Sequence, residues 1–154
     1  MEVNARHPLS GYVHVMYALH AFAGFIGVTS GASVIGAFVF GLPSIIAIIM
    51  NYARADAARG SWLEAHFRWQ RQTFWGAVVL GVAIFGVATV LGMFGMASLA
   101  TTPVTGGVGA LGAGAAFGGA WAALVLGAML AGIWILYRVA RGWMALAHGR
   151  TPNG

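Results

Sequence analysis

Three polar ring side chains lie close together in an otherwise apolar stretch, namely His14, Tyr17 and His20. Histidine inside a membrane bundle can ligate haem, and an ionisable residue at membrane depth indicates a functional site by default. Axial haem ligands must face each other across the porphyrin, which two histidines on one helix cannot do. We therefore expect no cofactor and interpret the three side chains as a candidate intramembrane polar site. A redox accessory protein that binds haem or quinone there is an alternative.

Other patterns that carry chemistry are weak. Residues 107–112 match the dinucleotide fingerprint G-x-G-x-x-G, but no strand precedes them and no acidic residue follows about 20 positions later. The chain has neither cysteine nor lysine, which excludes thiolate chemistry and a P-loop lysine. The usual spacings of metal ligands and the serine elbow G-x-S-x-G are missing as well. We expect no metal site and no enzymatic activity.

Charged and aromatic residues are densest in residues 51–75. Ser61 and Glu64 have the spacing of a capping box, which predicts a helix that begins near Trp62. Tryptophans typically anchor a helix at the headgroup layer, and arginines there meet anionic headgroups. The pattern is typical of an interfacial helix. The alternative is a polar site at the inner mouth of the bundle, formed by Asp56, Arg59, Glu64, His66, Arg68 and Arg71. The candidate interaction site for lipid headgroups or a protein partner comprises Arg54, Asp56, Arg59, Trp62, Glu64, His66, Arg68, Trp69, Arg71, Arg138 and Arg141.

The elements that position these residues follow from the composition and the spacing of charges. Of the 154 residues, 60% are hydrophobic and 7% are charged, whereas soluble domains carry about a quarter charged residues. No charge lies between Arg6 and Arg54 or between Arg71 and Arg138, and each gap is long enough for two spans of about 20 residues. We predict an all-α membrane protein, a single domain, with four transmembrane helices in two hairpins and an amphipathic interfacial helix before the third span. The predicted spans are residues 12–28, 34–50, 74–96 and 120–137.

The connections complete this prediction. The first hairpin should turn at residues 29–33, a small and polar cluster. Residues 51–72 form the predicted cytoplasmic segment, and residues 103–119, rich in glycine and free of charge, are predicted as a flexible outer loop. A cleaved signal peptide is the competing interpretation of the first span.

Every basic residue is an arginine, and all eight lie in the N-terminus, the 51–72 segment or the C-terminal tail. The positive-inside rule then predicts a multi-pass protein of the bacterial inner (plasma) membrane with both termini in the cytoplasm. Small residues recur at helical spacing on each predicted span and suit close helix packing, within one chain or in a homo-oligomer. The expected partners are a bilayer with anionic headgroups and a membrane protein or second copy, with no nucleic acid.

Three features of the chain carry a resemblance to known proteins: residues 51–75, residues 132–143, and the spacing from Tyr17 and His20 through residues 43–46. They resemble a family of small bacterial inner-membrane proteins of unknown function. That family is grouped as Tic20-like, after a plastid inner-envelope protein-import component, and the resemblance covers most of the chain. It implies a four-helix membrane protein with a channel or translocation-accessory role, and it supplies no catalytic residues. The glycine-rich run is longer than the family leads us to expect.

These observations favour a non-enzymatic accessory or scaffold protein that contacts lipid headgroups or a partner through residues 51–72. A passive channel or protein-translocation component is the alternative, and it would need a polar route through the bundle. Few polar residues lie within the predicted spans to line such a route.

Overall fold

The computed structural model describes residues 7–29 and 34–152, and at 27, 28, 34–40 and 105 it describes the backbone alone. Within these residues the chain is all-helical and has no strand, which confirms the predicted all-α class. The helices are α1 (Ser10–Thr29), α2 (Val34–Ala58), α3 (Leu63–Thr105) and α4 (Gly107–Ala147). The turn predicted at residues 29–33 lies outside the described residues, apart from Thr29 at the end of α1.

The four helices run alternately up and down, and their lengths differ. At a rise of about 1.5 Å per residue, α3 and α4 are roughly 60 Å long, whereas α1 and α2 reach roughly 30–40 Å. Consequently α1 and α2 pack against only one end of the α3–α4 hairpin. The core lies at that end, where α1 and α3 begin and α2 and α4 end. Its fully or nearly fully buried members include Val13, Met16, Tyr17, Ala58, Leu63, Phe67, Ile135, Val139 and Leu146.

Two helices of the described chain, rather than the predicted four, are long and apolar enough to cross a membrane. They are Leu63–Val104, with 42 residues, and Gly107–Ala147, with 41 residues. In their most apolar stretches only 6% and 11% of the residues, respectively, are buried. A core helix of a soluble protein would be mostly buried, so this exposure is compatible with a membrane protein.

The prediction of a flexible loop at residues 103–119 is wrong. Helix α3 continues through Pro103 to Thr105, Gly106 turns the chain at a φ of 60°, and α4 begins at Gly107. Glycine disfavours helix in water, but in an apolar setting the backbone must bond internally, and small residues let two helices approach closely. A Cβ on Gly112 would lie 3.3 Å from the Ser98 hydroxyl. Gly112 therefore allows a close contact between α3 and α4.

The predicted interfacial helix is not a separate element. Residues 63–72 form the first turns of α3, which continues without a break into the predicted third span. The apolar face of these turns is buried against the other helices, since its members Leu63 and Phe67 belong to the core. The capping box also fails to form: the Ser61 hydroxyl donates to the Ala58 carbonyl at 2.7 Å, at the end of α2. The Glu64 carboxylate accepts from the Gly60 amide at 2.9 Å.

Candidate functional site

A buried chain of hydrogen bonds joins three separate parts of the protein at the core. The Tyr17 hydroxyl lies 2.9 Å from His66 Nδ1, and His66 Nε2 lies 2.9 Å from the Arg150 carbonyl oxygen. Because a carbonyl can only accept, Nε2 carries the hydrogen and, in the neutral ring, Nδ1 accepts from Tyr17. Tyr17 and His66 are both fully buried. This chain of bonds fixes the segment after α4 to the start of α3.

A second buried polar group joins α2 to α3. The Asn51 amide donates to the Phe67 carbonyl at 3.0 Å and to the Gln70 side-chain oxygen at 3.3 Å. Arg71 donates to the Asn51 side-chain oxygen at 3.4 Å, and its guanidinium lies 5.6 Å from the centre of the Tyr52 ring. Since buried amides without partners are costly, these bonds hold α2 and α3 in one arrangement.

The candidate intramembrane polar site consists of His14, Tyr17 and His20, which all lie on α1. Their hydrogen-bond partners lie on three neighbouring helices. His14 Nδ1 accepts from the Trp143 indole on α4 at 2.7 Å, whereas Tyr17 bonds to His66 on α3. His20 Nδ1 lies 3.3 Å from the Ser44 hydroxyl on α2. The hydrogen-bond partner of each side chain thus lies on a different helix.

Trp69 on α3 and Arg138 on α4 connect these two helices, and each donates a hydrogen bond to the other helix. The Trp69 indole donates to the Arg138 carbonyl at 3.1 Å, and Arg138 Nε donates to the Thr73 hydroxyl at 2.8 Å. Thr73 in turn donates to the Trp69 carbonyl at 2.9 Å. The Arg138 guanidinium lies 3.8 Å from the centre of the Trp69 ring, and that of Arg141 lies 5.9 Å from it. We call Trp69, Thr73 and Arg138 the α3–α4 clamp.

The arginines from Arg54 to Arg150 all lie at the end of the molecule that holds the core. We call this region, residues 54–71 and 138–150, the arginine end. Arg54, Arg68, Arg141 and Arg150 are exposed. Arg59 pairs with Asp56 at 3.0 Å, but both side chains are more than three-quarters exposed, so the pair adds little stability. The opposite end of the hairpin has no formal charge.

The predicted interaction site therefore separates into an exposed and a buried group. Arg54, Asp56, Arg59, Glu64 and Arg68 face solvent, as does Arg141. His66 and Trp69 are buried, and half-buried Trp62 packs edge-to-face on His66 with ring centres 5.3 Å apart. The buried members hold the helices together, so only the exposed members and the rim of the clamp are accessible to a ligand.

Sequence reasoning missed several residues of these networks. Asn51, Gln70 and Thr73 are buried polar residues that received no role, and Trp134 packs below the Arg138 guanidinium at 5.3 Å. The spacing of Trp134 and Arg138, four residues apart on a helix, places them on one face and was the available signal. The partners of Asn51 lie on another helix and left no pattern in the sequence.

No group of three or more histidine, cysteine, aspartate or glutamate residues suited to a metal ion occurs in the described part of the chain. Comparison of the chain with family models, with curated proteins and with solved structures finds no match. The resemblance to the Tic20-like proteins therefore stays a prediction, as does the absence of enzymatic activity.

Proposed function

We propose that this chain is a non-enzymatic membrane protein whose arginine end binds anionic lipid headgroups and acts there as an accessory or scaffold surface. One observation carries the proposal: exposed arginines cluster at one end of a helical hairpin that has no formal charge between Arg71 and Arg138, where most side chains are exposed. The apolar surface suits lipid tails, and guanidinium groups next to it suit the phosphates of the headgroup layer. The predicted location, a bacterial inner membrane with both termini in the cytoplasm, belongs to the same proposal.

Cysteine labelling tests whether the hairpin crosses the membrane, and the natural chain has no cysteine to interfere. Val104→Cys places a thiol near the hairpin turn, where the side chain is 91% exposed, and His148→Cys places one just after α4. In intact spheroplasts, an impermeant maleimide should label the first variant, and it should label the second only after permeabilisation. Labelling of both from the same side would contradict a crossing hairpin. Thr29→Cys then tests the predicted four spans, which require this position to be labelled from outside.

Lipid retention tests the function itself. The full chain is purified in mixed micelles with equal amounts of phosphatidylglycerol and phosphatidylcholine, and native mass spectrometry counts all retained lipids. We expect phosphatidylglycerol to be enriched, with each surface arginine contributing about 1 kcal/mol. Replacing Arg54, Arg59 and Arg68 together by Gln should remove most of the enrichment, whereas replacing the same three by Lys should keep it. Equal retention of the two lipids by the wild-type protein would contradict the proposal.

A further inference from the structure

The exposed rim of the α3–α4 clamp presents two guanidinium groups to one indole ring. Arg138 stacks on Trp69 at 3.8 Å, and Arg141, one turn further along α4, lies 5.9 Å from the same ring centre. Arg138 is oriented by its bond to Thr73 and by the Trp69 indole, which is itself fixed to the α4 backbone. The guanidinium is therefore held in place before any ligand arrives.

These two cations lack an anionic partner within residues 7–29 and 34–152. The acidic side chains there are Asp56 and Glu64, which bond to Arg59 and to the Gly60 amide. The terminal nitrogens of Arg138 and the guanidinium of Arg141 donate to no acceptor that the structure describes. A planar guanidinium offers paired N–H donors that match the oxygens of a phosphate. Two such groups over one indole ring predict a phosphate as their ligand.

The surface next to this pair indicates where the phosphate comes from. An exposed apolar stripe on α4 ends at Arg141, with members spaced three and four residues apart so that they share one helix face. Its members are Leu126, Leu130, Ile133 and Tyr137, which are 59%, 68%, 54% and 60% exposed, respectively. Such a stripe accommodates an acyl chain that runs along the helix from a headgroup at the arginines.

We propose that Arg138, stacked on Trp69, and Arg141 next to the same ring bind the phosphate of one anionic phospholipid, whose acyl chain lies along the apolar stripe of α4. This rests on the proposed function, since it names one specific lipid site within the arginine end. The ligand is a phosphodiester lipid such as phosphatidylglycerol. The site differs from the diffuse attraction of the exposed arginines because its donors are oriented and because one lipid fills it.

The test is a titration of the full chain in detergent with phosphatidylglycerol, in which native mass spectrometry follows binding of the first lipid. Arg141→Gln should weaken this first binding step about tenfold, since a charge-assisted hydrogen bond is lost. Arg141→Lys should also weaken it, because an ammonium group lacks the two parallel N–H donors that a guanidinium offers to a phosphate. Arg54→Gln is the comparison variant: it removes the same charge from an exposed arginine on α2 that belongs only to the diffuse surface. It should weaken the first step clearly less than Arg141→Gln does.

The possible results separate the two proposals and the two sources of phosphate. If Arg54→Gln and Arg141→Gln weaken the first step equally, the specific site is wrong while diffuse headgroup binding stands. If phosphatidylglycerol binds no better than phosphatidylcholine, both proposals are wrong. If inorganic phosphate or glycerol phosphate competes as well as the lipid does, the site takes a free anion and the lipid assignment is overturned. Arg138→Gln removes a bond of the clamp as well as a donor, so Arg141 decides the question if that variant unfolds.

Discussion

Replacing Gly142 by Ala should destabilise the protein, because a buried tyrosine occupies the space that the new methyl group needs. A Cβ at this position would lie 2.5 Å from the Tyr17 hydroxyl oxygen and 2.8 and 2.9 Å from two ring carbons. Tyr17 cannot simply turn away, since it is fully buried and bonded to His66. Such overpacking costs about 1–3 kcal/mol.

The expected change must include helix propensity, which favours Ala over Gly by up to about 1 kcal/mol. Gly118→Ala provides the matched control, because Gly118 lies in the same helix and nothing lies within 4 Å of the Cβ that would be added. The difference in the free energy of unfolding between the two variants therefore isolates the contact with Tyr17, and we expect about 1–3 kcal/mol.

Unfolding in a titration of mixed micelles with a denaturing detergent, followed by circular dichroism, measures this difference. Gly142→Ala should unfold at a lower detergent fraction than the wild-type protein, and Gly118→Ala should unfold at the same fraction or a higher one. The reasoning is refuted if the two variants are equally stable. It is also refuted if Gly142→Ala is the more stable of the two, since α1 and α4 would then not be in close contact here.

Two further substitutions test the buried hydrogen bonds by the same measurement. Tyr17→Phe leaves His66 Nδ1 without a donor and should cost about 1–3 kcal/mol, whereas Tyr137→Phe, on an exposed tyrosine, should cost almost nothing; equal effects would contradict the buried bond. Asn51→Ala removes the donor to the Phe67 carbonyl and should cost a similar amount, and an effect no larger than that of Gln72→Ala, at an exposed position of α3, would show that Asn51 does not join the helices.

The helical class and the grouping of the arginines were predictable because both depend on composition and order along the chain. Long uncharged stretches predict long apolar helices whatever the tertiary structure is. The arginine end follows from the same pattern, since alternating helices bring the residues after α2 and after α4 to one end. Burial of the face with Leu63 and Phe67 could likewise be predicted from helical spacing, although its partner is protein rather than lipid.

The glycine-rich run was mispredicted because glycine was judged by its behaviour in water. There its conformational freedom opposes a helix. Between two apolar helices, however, the missing side chain permits close contact, as at Gly112, where a Cβ would lie 3.3 Å from the Ser98 hydroxyl. The local sequence does not show whether a glycine-rich run will be exposed to water or packed against another helix. The same run is therefore compatible with a loop and with a packed helix.

The polar core could not be predicted because its partners are far apart in sequence. Tyr17 and His66 are separated by 49 positions, and His66 and Arg150 by 84. Helical periodicity extends only along one element and predicts which residues share a face, not which face meets which. The histidines of α1 consequently looked like members of one site, although each bonds to a different helix.

The α3–α4 clamp affects the axial register of the two long helices, that is, how far one can slide along the other. Between the long helices, apolar side chains of one pack against glycines of the other, as Phe117 does against Gly95, and the clamp adds polar bonds to this packing. A slip of one turn, about 5.4 Å, would part the Trp69 indole from the Arg138 carbonyl and Arg138 from Thr73 together. These directional bonds lie far from the turn at Gly106, and they favour one axial alignment of α3 against α4.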